Sequence, residues 1–228
     1  MLAQSAMESS PTGLGGAAVA RSSLRIYGSW SAAPFPEGLH PMPKTNSSAP
    51  SARIPKIISV DDHVVEPPHL WESRLPAKYK DIGPRVKIMP RGAPKLIDGA
   101  WVETPGDGPE MAAWWLYEDH VYQVRQMIAC PGIPPEDVKP IGVTFDDIRP
   151  GCWQPEARIA DMEANHVEAS LCFPNYPRFC GQMFAERKDL TLSKLCVEAY
   201  NDWMIEEWCG DSEGRLIPLC IVPLWDAE

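Results

Sequence analysis

Residues 56–70 read KIISVDDHVVEPPHL, and the fold turns on this stretch. The apolar run Ile57, Ile58 and Val60 is rich in β-branched residues and stops at Asp61-Asp62-His63. That pattern predicts a short buried strand. Side chains alternate along a strand, so Asp61 and His63 leave one face and Asp62 the other. A carboxylate and an imidazole two residues apart at a strand end make a pair of converging metal ligands. Val64, Val65 and Glu66 lead into Pro67-Pro68, which impose an extended exit, and Glu66 can fold back over the same site. The same residues also fit a polar turn, with Asp61 capping a backbone amide and His63 in solvent. Spacing alone leaves both readings open.

Regular α/β pattern resumes well downstream. Glu156 to Asn165 reads as a short helix with Ile159 and Met162 on one face, and Asn165-His166 suits its C-terminus. Val167 to Phe173 reads as a second strand. It ends in the polar loop Pro174-Asn175-Tyr176-Pro177-Arg178. Thr191 to Cys209 is the strongest helix: Leu192, Leu195, Cys196, Ala199, Trp203 and Met204 recur at helical spacing, and Gly210 stops it. Asn201 sits mid-helix, where a structural hydrogen bond to a neighbouring loop is the expected role. Leu216 to Leu224 reads as a third strand. Strand, helix, strand, helix, strand implies a parallel sheet with right-handed crossovers.

Between the first strand and this pattern lies an insertion, residues 67–155, whose Pro and Gly punctuation argues against long helices. Lys95 to Ile97 and Ala100 to Val102 predict a hairpin turning at Asp98-Gly99. Met111 to Met127 is read as partly helical, with Trp114, Trp115, Tyr117 and Tyr122 as core. Residues 1–52, rich in Ser, Ala, Gly and Pro, read as a disordered N-terminal arm.

Composition bounds the function. The chain has 228 residues and a formal net charge of −10, which argues against nucleic acid or an acidic membrane surface as partner. The seven cysteines are scattered without a Cys-x-x-Cys pair, which favours reduced thiols in a cytoplasmic protein over a disulfide framework or zinc ribbon. Of the five histidines, His69 and His120 are read as surface residues and His166 as a cation near a helix end.

The opening stretch resembles the first strand of the amidohydrolase-related (amidohydrolase family 2) metal-dependent enzymes, in particular their aminocarboxymuconate-semialdehyde decarboxylase-like branch. The carrying residues are Asp61-x-His63, matching the acid-x-His form of the strand pair, then Glu66-Pro67-Pro68, Leu70-Trp71 and Arg74-Leu75-Pro76. The resemblance implies a (β/α)₈ TIM-type barrel, of which residues 53–228 supply about the first three strands. A complete barrel usually takes about 250 residues, so the expectation is the N-terminal part of a longer enzyme. It implies a divalent metal, zinc or manganese, held by Asp61 and His63 with Glu66 as a third candidate. A further His and an Asp would follow beyond Glu228. The implied chemistry is hydrolysis of C–N or C–O bonds by metal-activated water, or non-oxidative decarboxylation of an aromatic or unsaturated acid. Asn175, Tyr176 and Arg178 are the candidate contacts to a small-molecule substrate, Arg178 suiting a carboxylate. A homo-oligomer or a complementary C-terminal half are the macromolecular partners considered. A fragment acting only as an interaction module is the non-enzymatic alternative.

Overall fold

The computed structural model describes residues 54–97 and 99–226; the expected disordered arm lies outside them. In chain order the elements are β1 (Ile57–Val64), α1 (His69–Arg74), β2 (Arg85–Pro90), β3 (Lys95–Ile97), β4 (Ala100–Val102), β5 (Met111–Tyr117) and β6 (His120–Gln123). There follow α2 (Pro155–Ala164), β7 (Val167–Pro174), α3 (Gln182–Ala185), α4 (Leu190–Trp203) and β8 (Leu216–Ile217). Single 3₁₀ turns link several of them. The molecule is mixed α/β. A parallel sheet has the order β1-β7-β8, an antiparallel sheet the order β2-β5-β6, and β3 and β4 form a separate hairpin. No described helix is long and apolar enough to cross a membrane.

Both strands that bracket α2 form where the hydrophobic pattern places them, and they pair in parallel from Ile57↔Val167 to Val64↔Pro174. β1 is not buried, however. Ile57, Ile58 and Val60 are 54%, 62% and 65% exposed. Among the described residues β1 is a terminal strand with β7 as its one neighbour, so its apolar run is covered on one edge only. The third strand is also shorter than its sequence suggests: β8 ends at Ile217. Pro218 follows immediately and Pro223 lies further along, and a proline cannot donate to a ladder.

The remainder of that apolar run is held from α4 instead. Asn201 Nδ2 donates to the Ile221 carbonyl at 2.9 Å, and the Ile221 N–H donates to Asn201 Oδ1 at 2.8 Å. Asn201→Ala will therefore lower stability by about 1–3 kcal/mol, the cost of leaving backbone groups of Ile221 without partners. A shifted urea midpoint with unchanged slope measures it. Helix α4 itself starts at Asp189, whose carboxylate accepts the Leu192 N–H at 2.9 Å. It runs on through a wider π-turn, Met204–Trp208, to Gly210, where a Cβ would meet the Glu206 carbonyl oxygen at 2.2 Å.

The insertion holds more regular structure than its punctuation suggests. The stretch read as partly helical, from Met111, is the β5–β6 hairpin, paired Trp114↔Gln123 to Tyr117↔His120. Its tight turn places Glu118 at φ +51. Strand wins over helix because Trp and Tyr suit a pleated strand, and β5 is buried on both faces from Ala112 to Trp115. The core role of its aromatics holds: Trp114, Trp115 and Tyr117 are buried, with Tyr122 packed partly buried against them. The β3–β4 hairpin forms as expected, with Ile97↔Ala100 closing the ladder and Gly99 at φ +80.

Trp71 joins the insertion to the parallel sheet. Its ring lies 5.1 Å from Trp115, 5.5 Å from Tyr176 and 5.9 Å from Phe184, edge-on to each. Its indole N–H donates to the Cys196 carbonyl of α4 at 3.0 Å. All seven cysteines are free thiols.

Candidate active site

The C-terminal end of β1 carries an irregularity that decides where its polar side chains go. From Ser59 to Asp62 β1 advances three residues, while its partner β7 advances two, from Ser170 to Cys172. One residue of β1 is therefore extra, a bulge. Ser59, Asp62 and His63 all border a cavity of about 560 Å³ beside α2. Val60 and Asp61, between Ser59 and Asp62, are exposed and do not border it.

Asp62 serves the fold. Its Oδ2 accepts a short hydrogen bond from Ser170 Oγ, and Arg158 Nη1 of α2 stands 3.8 Å from that oxygen. Arg158 also donates to the carbonyls of His63 at 2.7 Å and Gly151 at 2.6 Å. This one guanidinium fixes the end of β1 against α2. Sequence parity sets Asp62 apart from its neighbours; its link to Arg158, far along the chain, is not legible there.

His63 pairs in register with Phe173, and the two rings are 5.9 Å apart at 40°. Phe173 in turn stacks on Phe179 at 5.0 Å and 15°, and Phe179 is 67% exposed. Asp61 and the His63 imidazole are exposed, and neither side chain has a hydrogen-bond partner among the described residues. A free carboxylate and a free imidazole are a fitting donor pair for zinc or manganese. They would supply two ligands, and among the described residues no group of three or more His, Cys, Asp or Glu is placed to hold a metal ion.

The other candidates divide. Glu66 is fully buried: Oε1 accepts the Asn175 N–H at 2.9 Å and Oε2 the Tyr176 N–H at 3.0 Å. Burial pushes its carboxyl up to about 7, against the pull of those N–H groups towards the ionised form. Asn175 Nδ2 donates to the Val64 carbonyl at 2.8 Å. Tyr176 is buried and stacked on Trp115 at 4.8 Å, with its hydroxyl unpaired among the described residues. Glu66, Asn175 and Tyr176 thus meet in one junction between β1 and the loop after β7. Arg178 stands apart, at φ +64, exposed and paired with Glu186 at 3.1 Å.

Of the remaining histidines, His69 pairs at the surface with Glu207 at 2.9 Å. His120 is not the solvated residue the sequence suggests. It is half-buried, its ring stacks on Tyr122 at 6.4 Å, and its Nε2 is enclosed without a partner. Burial and the nearby Arg187 charge push its imidazole below the usual range.

No family model matches the chain, and none of the curated proteins does. Among solved structures it is similar to an amidohydrolase from Mycobacterium avium subsp. paratuberculosis K-10, at 24% identity and a TM-score of 0.46. The alignment covers 75% of this chain and 43% of that one. The chain therefore spans less than half the length of the structure it matches.

Proposed function

We propose that this chain contributes to the active site of a metal-dependent hydrolase of the amidohydrolase-related kind, acting on C–N or C–O bonds. Asp61 and His63 supply two of the metal ligands. The observation that carries the reading is the division of labour at the end of β1. Asp62 is consumed by Ser170 and Arg158, while its neighbours Asp61 and His63 are left exposed and unbonded.

A bound zinc or manganese ion supplies a Lewis acid and water acidified to a pKa near 7. The chain's own residues then have distinct tasks. Asp61 and His63 hold the ion through oxygen and nitrogen. Asp62 and Arg158 fix the strand that carries them. Phe173 flanks the imidazole and keeps water from one side of it. The donor pair equally serves a decarboxylase; carbon dioxide release from phenolic acids, against cleavage of amides or lactones, separates the two.

Elemental analysis of the purified chain tests the metal. Wild-type protein will retain zinc or manganese well above the level of Asp61→Ala and His63→Ala, while Asp62→Asn keeps it. Equal content in all four proteins removes the reading and favours an interaction module.

A further inference from the structure

We propose that Glu66 is a positioning residue, whose buried carboxylate holds the loop after β7 against the end of β1 so that Phe173 stays seated beside His63. The inference rests on the reading of His63 as a metal ligand.

The β1–β7 ladder ends at Val64↔Pro174. Pro174 has no N–H to continue it. The next two N–H groups, of Asn175 and Tyr176, would be buried donors without a strand to receive them, and such groups need partners. Glu66 takes both, one on each oxygen, at 2.9 and 3.0 Å. The loop returns a bond through Asn175 Nδ2 to the Val64 carbonyl at 2.8 Å. Three hydrogen bonds therefore bind two short segments, 64–66 and 175–176, into one joint. Phe173 enters that joint from β7 and Phe179 leaves it; their rings stack on each other, and Phe173 lies tilted against His63.

The test is NMR on the full chain with no metal added. In Glu66→Gln one acceptor becomes an amide NH₂ facing a backbone N–H. Amide exchange at Asn175 or Tyr176 will speed up by about tenfold, the equivalent of one net hydrogen bond. The His63 Hε1 resonance, sensitive to the neighbouring Phe173 ring, will move. Asn201→Ala, which loosens a distant joint, will leave that resonance in place. If Glu66→Gln does not fold, Asn175→Ala decides: it keeps the carboxylate, removes the tie to Val64, and should move the same resonance. A folded Glu66→Gln with the His63 line unmoved overturns the proposal, as does an equal movement in Asn201→Ala. Metal retention is measured separately, so a failed joint and a failed metal site give different results.

Discussion

Glu66→Ala will destabilise the protein by about 3–5 kcal/mol at pH 5.5, because it orphans two buried N–H donors and opens a small cavity. The size of the loss will depend on pH, and the sign follows from the direction of the shift. The Glu66 carboxyl sits at about 7 in the folded protein, raised from an ordinary value of 4.5. The folded state therefore holds a proton that the unfolded state releases. Stability from this group is fully present below about 4.5 and is lost as pH rises towards 7. The total loss is about 3 kcal/mol, and above 7 the dependence flattens. Glu66→Ala lacks this dependence, so the gap between the two proteins narrows from pH 5.5 to pH 7.5. Urea unfolding of both at three pH values measures it. Parallel curves would show that the carboxyl does not titrate in this window.

Trp71→Ala should cost a further large sum, about 3–5 kcal/mol. The side chain is fully buried and touches Trp115, Tyr176 and Phe184 edge-on, one ring from each of three segments. These segments come from the insertion, the loop after β7 and α3, so the surroundings have little freedom to collapse into the void. Trp71→Phe keeps much of the ring but removes the N–H that donates to the Cys196 carbonyl, and should cost about 1–2 kcal/mol. A loss from Trp71→Ala no larger than from Trp71→Phe would mean that the aromatic cluster does not join the sheets as described.

Much of the parallel unit was legible from the residues. Ile57 to Val64 and Val167 to Pro174 form strands because β-branched runs ended by turn residues favour them. α2 and α4 follow from helical spacing. The β5–β6 hairpin was not legible, because Ala112 to Leu116 is apolar without a break and fits a buried strand or a buried helix equally. The β8 run was overread where Pro218 should have limited it.

At the site, alternation predicts Asp61 and His63 on one face and Asp62 on the other, yet His63 borders the same cavity as Asp62. Alternation did not reveal the bulge, which is a property of the pairing with β7 rather than of β1. Glu66 is the third metal-ligand candidate in the sequence; its hydrogen-bond partners, the N–H groups of Asn175 and Tyr176, lie more than a hundred residues away. Their need for an acceptor arises only once Pro174 ends the ladder. Local pattern carries no trace of such a debt.

The central claim is that the carboxylate of Asp61 and the imidazole of His63 converge on one divalent ion. Titrating Mn²⁺ into the full chain and following the histidine imidazole resonances tests it most directly. Those of His63 should broaden first, ahead of His69 and His120, with the selectivity lost in Asp61→Ala and kept in Asp62→Asn. Broadening that is absent, that spares His63, or that survives unchanged in Asp61→Ala would contradict the account.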